Sequence, residues 1–272
     1  MAHPQIATFA RLADGNAQPV RKLEGQMTKL GRTMHGIAYD PAHDEFFVTQ
    51  PFAQAVLIFR GGASGETPPA RVIQGPLTRL EDPDKVEIDP VHNEIFVPEG
   101  DKILVYARES NGNVAPLRVI EGPDTMLGGD AVGVDPINNV IAVAGWEGRR
   151  EQGNSFVLIF NRTDQGNVKP RAVIRGPRTG LNGTFGIRMA PAKGYILVAN
   201  CGPSWSLDYD PSFVGIWSIQ DNGDVPPRWT IGGPFGPLKQ PRGIDVDAKN
   251  KTILISDKRM NAVLTYSLPE IF

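Results

Sequence analysis

The stretch Gly112-Asn113-Val114-Ala115-Pro116-Leu117-Arg118-Val119-Ile120-Glu121-Gly122 decides the fold, because its frame, Gly-x3-Pro-x5-Gly, returns along the whole chain. Copies begin at Gly15, Gly65, Gly112, Gly166 and Gly223. Each has a proline four residues on (Pro19, Pro69, Pro116, Pro170, Pro227) and a second glycine six beyond that (Gly25, Gly75, Gly122, Gly176, Gly233). An in-register period of this kind fixes architecture before any residue is read for chemistry.

Between frames lie three apolar runs of strand length, in the second full repeat Val86-Glu87-Ile88, Glu94-Ile95-Phe96-Val97 and Ile103-Leu104-Val105-Tyr106. A fourth, Leu117-Arg118-Val119-Ile120, lies inside the frame itself. Runs apolar on both faces, such as Phe156-Val157-Leu158-Ile159-Phe160, suit strands held between two sheets. Four short antiparallel strands in a repeat of about 50 residues describe a β-propeller blade. Asp40-Pro41, Asp89-Pro90 and Asp135-Pro136 end first strands in tight polar turns, and His43 and His92 share one slot of those turns, which assigns both to structure. The frame's first glycine takes the hairpin between third and fourth strands. Its proline opens the fourth strand, at an outer edge where a missing N–H is tolerated.

The first strand occurs five times, so the expectation is an all-β chain, a five-bladed β-propeller forming one domain over residues 1–272. The repeats cover roughly 36–83, 84–129, 130–184, 185–241 and 242–272, the last closed by 1–35. In that scheme the amino-terminal strand near Val20-Arg21-Lys22-Leu23 completes the carboxy-terminal blade and removes its open edge. One element is surplus: Ile6-Ala7-Thr8-Phe9-Ala10-Arg11 matches a third strand, and reads as an added or displacing strand at the closure, with a six-bladed arrangement as the alternative.

The pattern resembles NHL-type propeller repeats over nearly the whole chain, carried by the Asp40-Pro41 type turn, the Glu94–Val97 and Ile103–Tyr106 type strands and the glycine-proline frame. It is more distantly similar to gluconolactonase-like propeller enzymes. The resemblance implies the fold and leaves the activity open among protein-binding modules, calcium-dependent lactonases and phosphotriesterases, and lyases.

The totals exclude several classes. In 272 residues the formal net charge is −2, which gives neither nucleic acid nor an anionic membrane an electrostatic attraction. No apolar run approaches the roughly 18 to 20 residues of a membrane span. The single cysteine, Cys201, excludes an internal disulfide framework and reads as a small buried thiol. Met1-Ala2-His3-Pro4-Gln5 lacks the marks of a leader, so the chain as written is expected in the cytoplasm, or outside it if a leader has been removed. A monomer acting on a small molecule is expected.

Chemistry is sought where the repeats differ. The residue before each first strand is His35, Asp84, Asp130, Phe185 and Arg242, and the residue ending each second strand is Gln50, Glu99, Gly145, Asn200 and Asp257. These polar groups converge on the mouth of a propeller channel. Glu99, Asn200 and Asp257, with Asp130, are hard oxygen donors of the type Ca2+ accepts. Alternatively no cofactor is needed: Glu99, Asp130 and His35 act as acid–base groups and Arg242 stabilises an anion. A third reading has these loop-end residues capping strands and pairing with Arg242 or Lys258. Arg188, inside the channel, either forms an ion pair with Glu87 and Asp245 or anchors a substrate carboxylate. The long second-to-third-strand loops offer Trp146, Trp205 and Tyr209 as flat walls beside Gln50. The function expected is a small-molecule-binding hydrolase or lyase, with a non-enzymatic protein- or peptide-interaction module as the competing class.

Overall fold

A computed structural model describes residues 4–129, 131–148, 154–202, 212–233 and 236–272. Among the described residues there are β-strands and short 3-10 turns but no α-helix, and no helix is long and apolar enough to cross a membrane. Asp130, Trp205 and Tyr209 lie outside the described residues.

The architecture is a five-bladed β-propeller. Four four-stranded antiparallel sheets follow one another in sequence: β3 (Ile37–Asp40) to β6 (Arg71–Gln74), β7 (Glu87–Asp89) to β10 (Arg118–Glu121), β11 (Ala131–Asp135) to β14 (Ala172–Ile174), and β15 (Thr184–Ala190) to β18 (Trp229–Gly232). A three-stranded sheet follows, β19 (Pro241–Asp247), β20 (Thr252–Asp257) and β21 (Ala262–Ser267). The chain divides into two compact units, Met1–Glu99 with Leu104–Leu117, and Gly100–Ile103 with Arg118–Phe272.

The amino-terminal segment departs from the expected pairing. β2 (Arg21–Glu24) takes β1 (Gln5–Thr8) as its antiparallel partner in a two-stranded sheet, and the last sheet stands at three strands. The surplus third-strand-like element therefore does what a third strand does. Ile6 faces Leu23 across β1–β2 as Val56 faces Ile73 across β5–β6. Closing a short local loop costs less chain entropy than pairing with a strand over two hundred residues away, which favours β1 as the partner.

The frame ties four of the fourth strands, β2, β6, β10 and β14, to the repeat that follows each. Gly112 donates its N–H to Val72 O at 2.6 Å and accepts from Gln74 N at 3.1 Å, forming a parallel bridge that recurs at Gly65, Gly166 and Gly223. So the outer edges, expected to lack ladder partners, are bridged at one residue each, and the frame's prolines fall just before the strands. Gly75 has φ of +127°, and a Cβ there would meet Asn113 Oδ1 at 2.6 Å. Only glycine fits that approach.

After four of the five second glycines comes a buried threonine that the frame alone does not announce. Thr28, Thr78, Thr125 and Thr179 donate to the carbonyls of Gly25, Gly75, Gly122 and Gly176 at 2.6–2.7 Å, each closing a 3-10 turn. The same hydroxyls accept the N–H of Leu30, Leu80, Leu127 and Leu181. With the hydroxyl satisfied on both sides, burial is tolerated. Glu45 is one of the fully buried charges of the first unit. Arg71 grips both its oxygens at 2.8 Å and Arg108 adds a bond at 2.7 Å. The Arg71 hydrogen bonds hold its carboxyl below the usual range.

Candidate functional site

In the first unit, β3 and β7 begin side by side because Gly36 has no side chain: a Cβ there would lie 2.7 Å from Lys85 Cα and 2.8 Å from Asp84 O. Thr49 on β4 fixes this approach. Its buried hydroxyl accepts the Gly36 N–H at 3.1 Å and donates to Asp84 O at 2.9 Å. The residues preceding the two strands are thereby brought together, and His35 Nδ1 is hydrogen-bonded to Asp84 Oδ1. Lys85 Nζ lies 3.6 Å from Asp84 Oδ2 and donates to His35 O at 3.2 Å. The imidazole side chain is 58% exposed and the Asp84 side chain 25%, so the pair is open to a ligand.

A carboxylate on Nδ1 fixes that nitrogen as the N–H donor and leaves Nε2 to accept a proton. The sequence named His35 but looked to Glu99 and Asp130 for its partners. The missed signal was positional: His35 and Asp84 hold the same place in consecutive repeats, and adjacent first strands set equivalent residues side by side.

Glu99 and Gln50, the other candidates of this unit, are turned onto their own loops. Glu99 accepts the backbone N–H of Glu81 at 3.1 and 3.2 Å and that of Asp82 at 2.8 Å. The Gln50 amide packs on Gly31, where a Cβ would meet Nε2 at 2.1 Å.

The second unit repeats this arrangement at the same strand ends. Asn200, fully buried, accepts the Asn182 N–H at 2.5 Å. Asp257 accepts from Lys239 N and Gln240 N through Oδ2 at 2.7 and 2.9 Å, and from Arg259 N and Met260 N through Oδ1 at 3.0 Å each. A carboxylate committed to four amides is a loop cap. Among the described residues no group of three or more His, Cys, Asp or Glu side chains that could hold a metal ion is present. Glu99, Asn200 and Asp257 thus each accept backbone N–H groups of neighbouring loops.

Arg242 and Phe185 hold in this unit the positions that His35 and Asp84 hold in the first. They too are neighbours: the Arg242 guanidinium lies 3.4 Å from the Phe185 ring centroid. Arg188 Nε donates to Asp245 Oδ1 at 3.0 Å. Trp146 ends β12 and bonds through its backbone N–H to Gly128 O at 2.9 Å. Cys201 is buried, with its thiol 3.4 Å from Gly183 O.

No family model matches the chain, and no curated protein does. Solved structures match the fold. A chain of the nidogen/laminin complex superposes with a TM-score of 0.61 at 13% identity, over 88% of this chain and 77% of that one. A chain of Kuenenia stuttgartiensis hydrazine synthase superposes with a TM-score of 0.60 at 15% identity, over 93% of this chain and 68% of that one. One neighbour comes from a complex between proteins and the other from an enzyme, and identities this low establish a shared β-propeller fold alone.

Proposed function

We propose that the protein binds a small organic molecule at the loop face where β3 and β7 begin and acts on it as a hydrolase or lyase, with His35 as the acid–base group. The observation that carries this reading is the His35–Asp84 contact between two repeats, with an imidazole more than half exposed. In hydrolysis, Nε2 takes a proton from water as the water oxygen bonds to the substrate carbonyl carbon. The same proton passes to the leaving oxygen when the carbon–oxygen bond breaks. In elimination, Nε2 takes the proton from carbon and returns it to the departing group. Asp84 holds the ring and faces the imidazolium that forms, and Lys85 ties Asp84 to the backbone of His35.

The resemblance to NHL-type and gluconolactonase-like propellers supports the small-molecule reading in kind, but the engaged oxygens of Glu99 and Asp257 give no support to its calcium-dependent form. The test is turnover of a panel of lactones, carboxylic esters and β-substituted acids by the wild-type chain and by His35→Gln. Turnover by the wild type that His35→Gln abolishes supports the proposal. A His35→Gln variant as active as the wild type overturns it.

A further inference from the structure

The glycines at the hairpin tips have a covalent consequence that is independent of the His35 chemistry. Asn-Gly and Asp-Gly are the steps most prone to close into a cyclic imide, because a glycine, with no Cβ, lets its own nitrogen approach the preceding side-chain carbonyl carbon. The chain has three Asn-Gly steps, Asn111-Gly112, Asn182-Gly183 and Asn222-Gly223, and one Asp-Gly step, Asp14-Gly15. Gly15, Gly112 and Gly223 are first glycines of the frame. In an unfolded chain the asparagine steps react faster, since a carboxylate is a poorer electrophile than an amide.

The fold inverts that order. Gly112 donates its N–H to Val72 O at 2.6 Å, while Asn111 Oδ1 accepts the Val72 N–H at 3.0 Å. Gly223 and Asn222 hold Val173 in the same two-point grip, at 2.7 and 2.9 Å. In each case the nucleophilic nitrogen and the electrophilic side chain are both fastened to one residue of the preceding fourth strand. The nitrogen reaches the side-chain carbon only when that grip opens, and local opening of a hydrogen-bonded element costs free energy. Gly183 donates its N–H to Ser155 Oγ at 2.9 Å, and Ser155 is buried. Asp14-Gly15 is arranged differently. Gly15 donates its N–H to Asp14 Oδ1 at 2.8 Å, so the nitrogen already lies against the carboxyl that it attacks. Both residues are exposed, and water reaches them.

We infer that Asp14 is a site of spontaneous isoaspartate formation in the folded protein, and that the three asparagine steps are spared while their glycine N–H groups stay engaged. The Gly15 nitrogen bonds to Asp14 Cγ, and one carboxyl oxygen leaves as water, taking one proton from the nitrogen and one from solvent. Water then opens the five-membered imide at either carbonyl and releases a proton. Breaking the Cγ–N bond restores aspartate. Breaking the bond between the α-carbonyl carbon and the nitrogen leaves the chain running through the side-chain carbonyl, with a free α-carboxylate and one more methylene in the backbone between β1 and β2. The water lost is the water regained, and no other reactant is consumed.

The test ages the full wild-type chain at neutral pH, folded and in urea, and maps its peptides by mass spectrometry. Isoaspartate is counted by methylation with an isoaspartyl-specific carboxyl methyltransferase. In the folded chain the methyl group is expected on the Asp14 peptide, while the peptides of Asn111, Asn182 and Asn222 keep their mass. In urea those asparagines should deamidate at least about tenfold faster than in the folded chain, a factor worth about 1.4 kcal/mol of barrier, and faster than Asp14 isomerises. Asp14→Glu, whose side chain would have to close a six-membered ring, should remove the methylation signal of the folded chain. No isoaspartate at Asp14 in the folded chain overturns the inference. So does deamidation of the folded asparagine steps at the rate measured in urea.

Discussion

A histidine held by an aspartate occurs at both ends of β3, and the two pairs mean different things. At the turn after the strand, His43 Nδ1 contacts Asp40 Oδ2 at 2.7 Å, and Asp40 is fully buried while also accepting from Ala42 N and His43 N. Before the strand, His35 meets Asp84 of the next repeat, and both side chains reach solvent. The turn pair recurs. Asp89 and His92 reproduce it at 2.8 Å, and Asn138 and Asn250 stand in the histidine's place on Asp135 and Asp247 at 2.7 and 2.6 Å. An amide serves there as well as an imidazole, so the turn needs only an N–H donor of the right length. Among the described residues the pair before β3 has no such equivalent: the second unit puts Phe185 and Arg242 in those positions and stacks them. Contact chemistry alone therefore does not separate a functional dyad from a structural one. Repetition does.

Four substitutions would break or sharpen that contrast. The largest effect is expected at His35→Gln, which should lower kcat/KM by about 10²- to 10⁴-fold, the usual contribution of a positioned general base. Its melting temperature should stay close to that of the wild type, because the side chain is mostly exposed. Next is Asp40→Ala, which strands buried turn amides and should cost about 1–3 kcal/mol in denaturant unfolding. Activity per folded molecule should persist. Arg242→Met removes the guanidinium from the Phe185 ring and should cost about 0.5–2 kcal/mol by the same measurement. The smallest effect is expected at His43→Asn, which copies what the third repeat already does with Asn138 and should fall within about 0.5 kcal/mol of the wild type.

Much of the fold was legible because the frame repeats: glycine and proline at fixed offsets mark turns that only they can make. The amino-terminal pairing was less so. Ile6–Arg11 could be recognised as a third strand from its composition, but whether β2 would pair with it or with β21 depends on a competition between loop closure and ring closure that no local pattern records. At the candidate site, the variable positions include both His35 and the residues that accept loop amides. Glu99, Asn200 and Asp257 vary in type yet share one task, accepting loop amides, and a backbone acceptor can be a carboxylate or an amide with equal success. Asp84 could be seen to share the position of His35, but equivalence between repeats does not say by itself that two side chains 49 residues apart touch.

The most direct measurement of the central claim is the turnover of a responsive ester or lactone by His35→Gln and His43→Asn side by side. Both remove an imidazole held by an aspartate from the same unit. Loss of turnover in His35→Gln with full turnover in His43→Asn is the predicted result. Equal turnover in the two variants would contradict the assignment of chemistry to the His35–Asp84 pair.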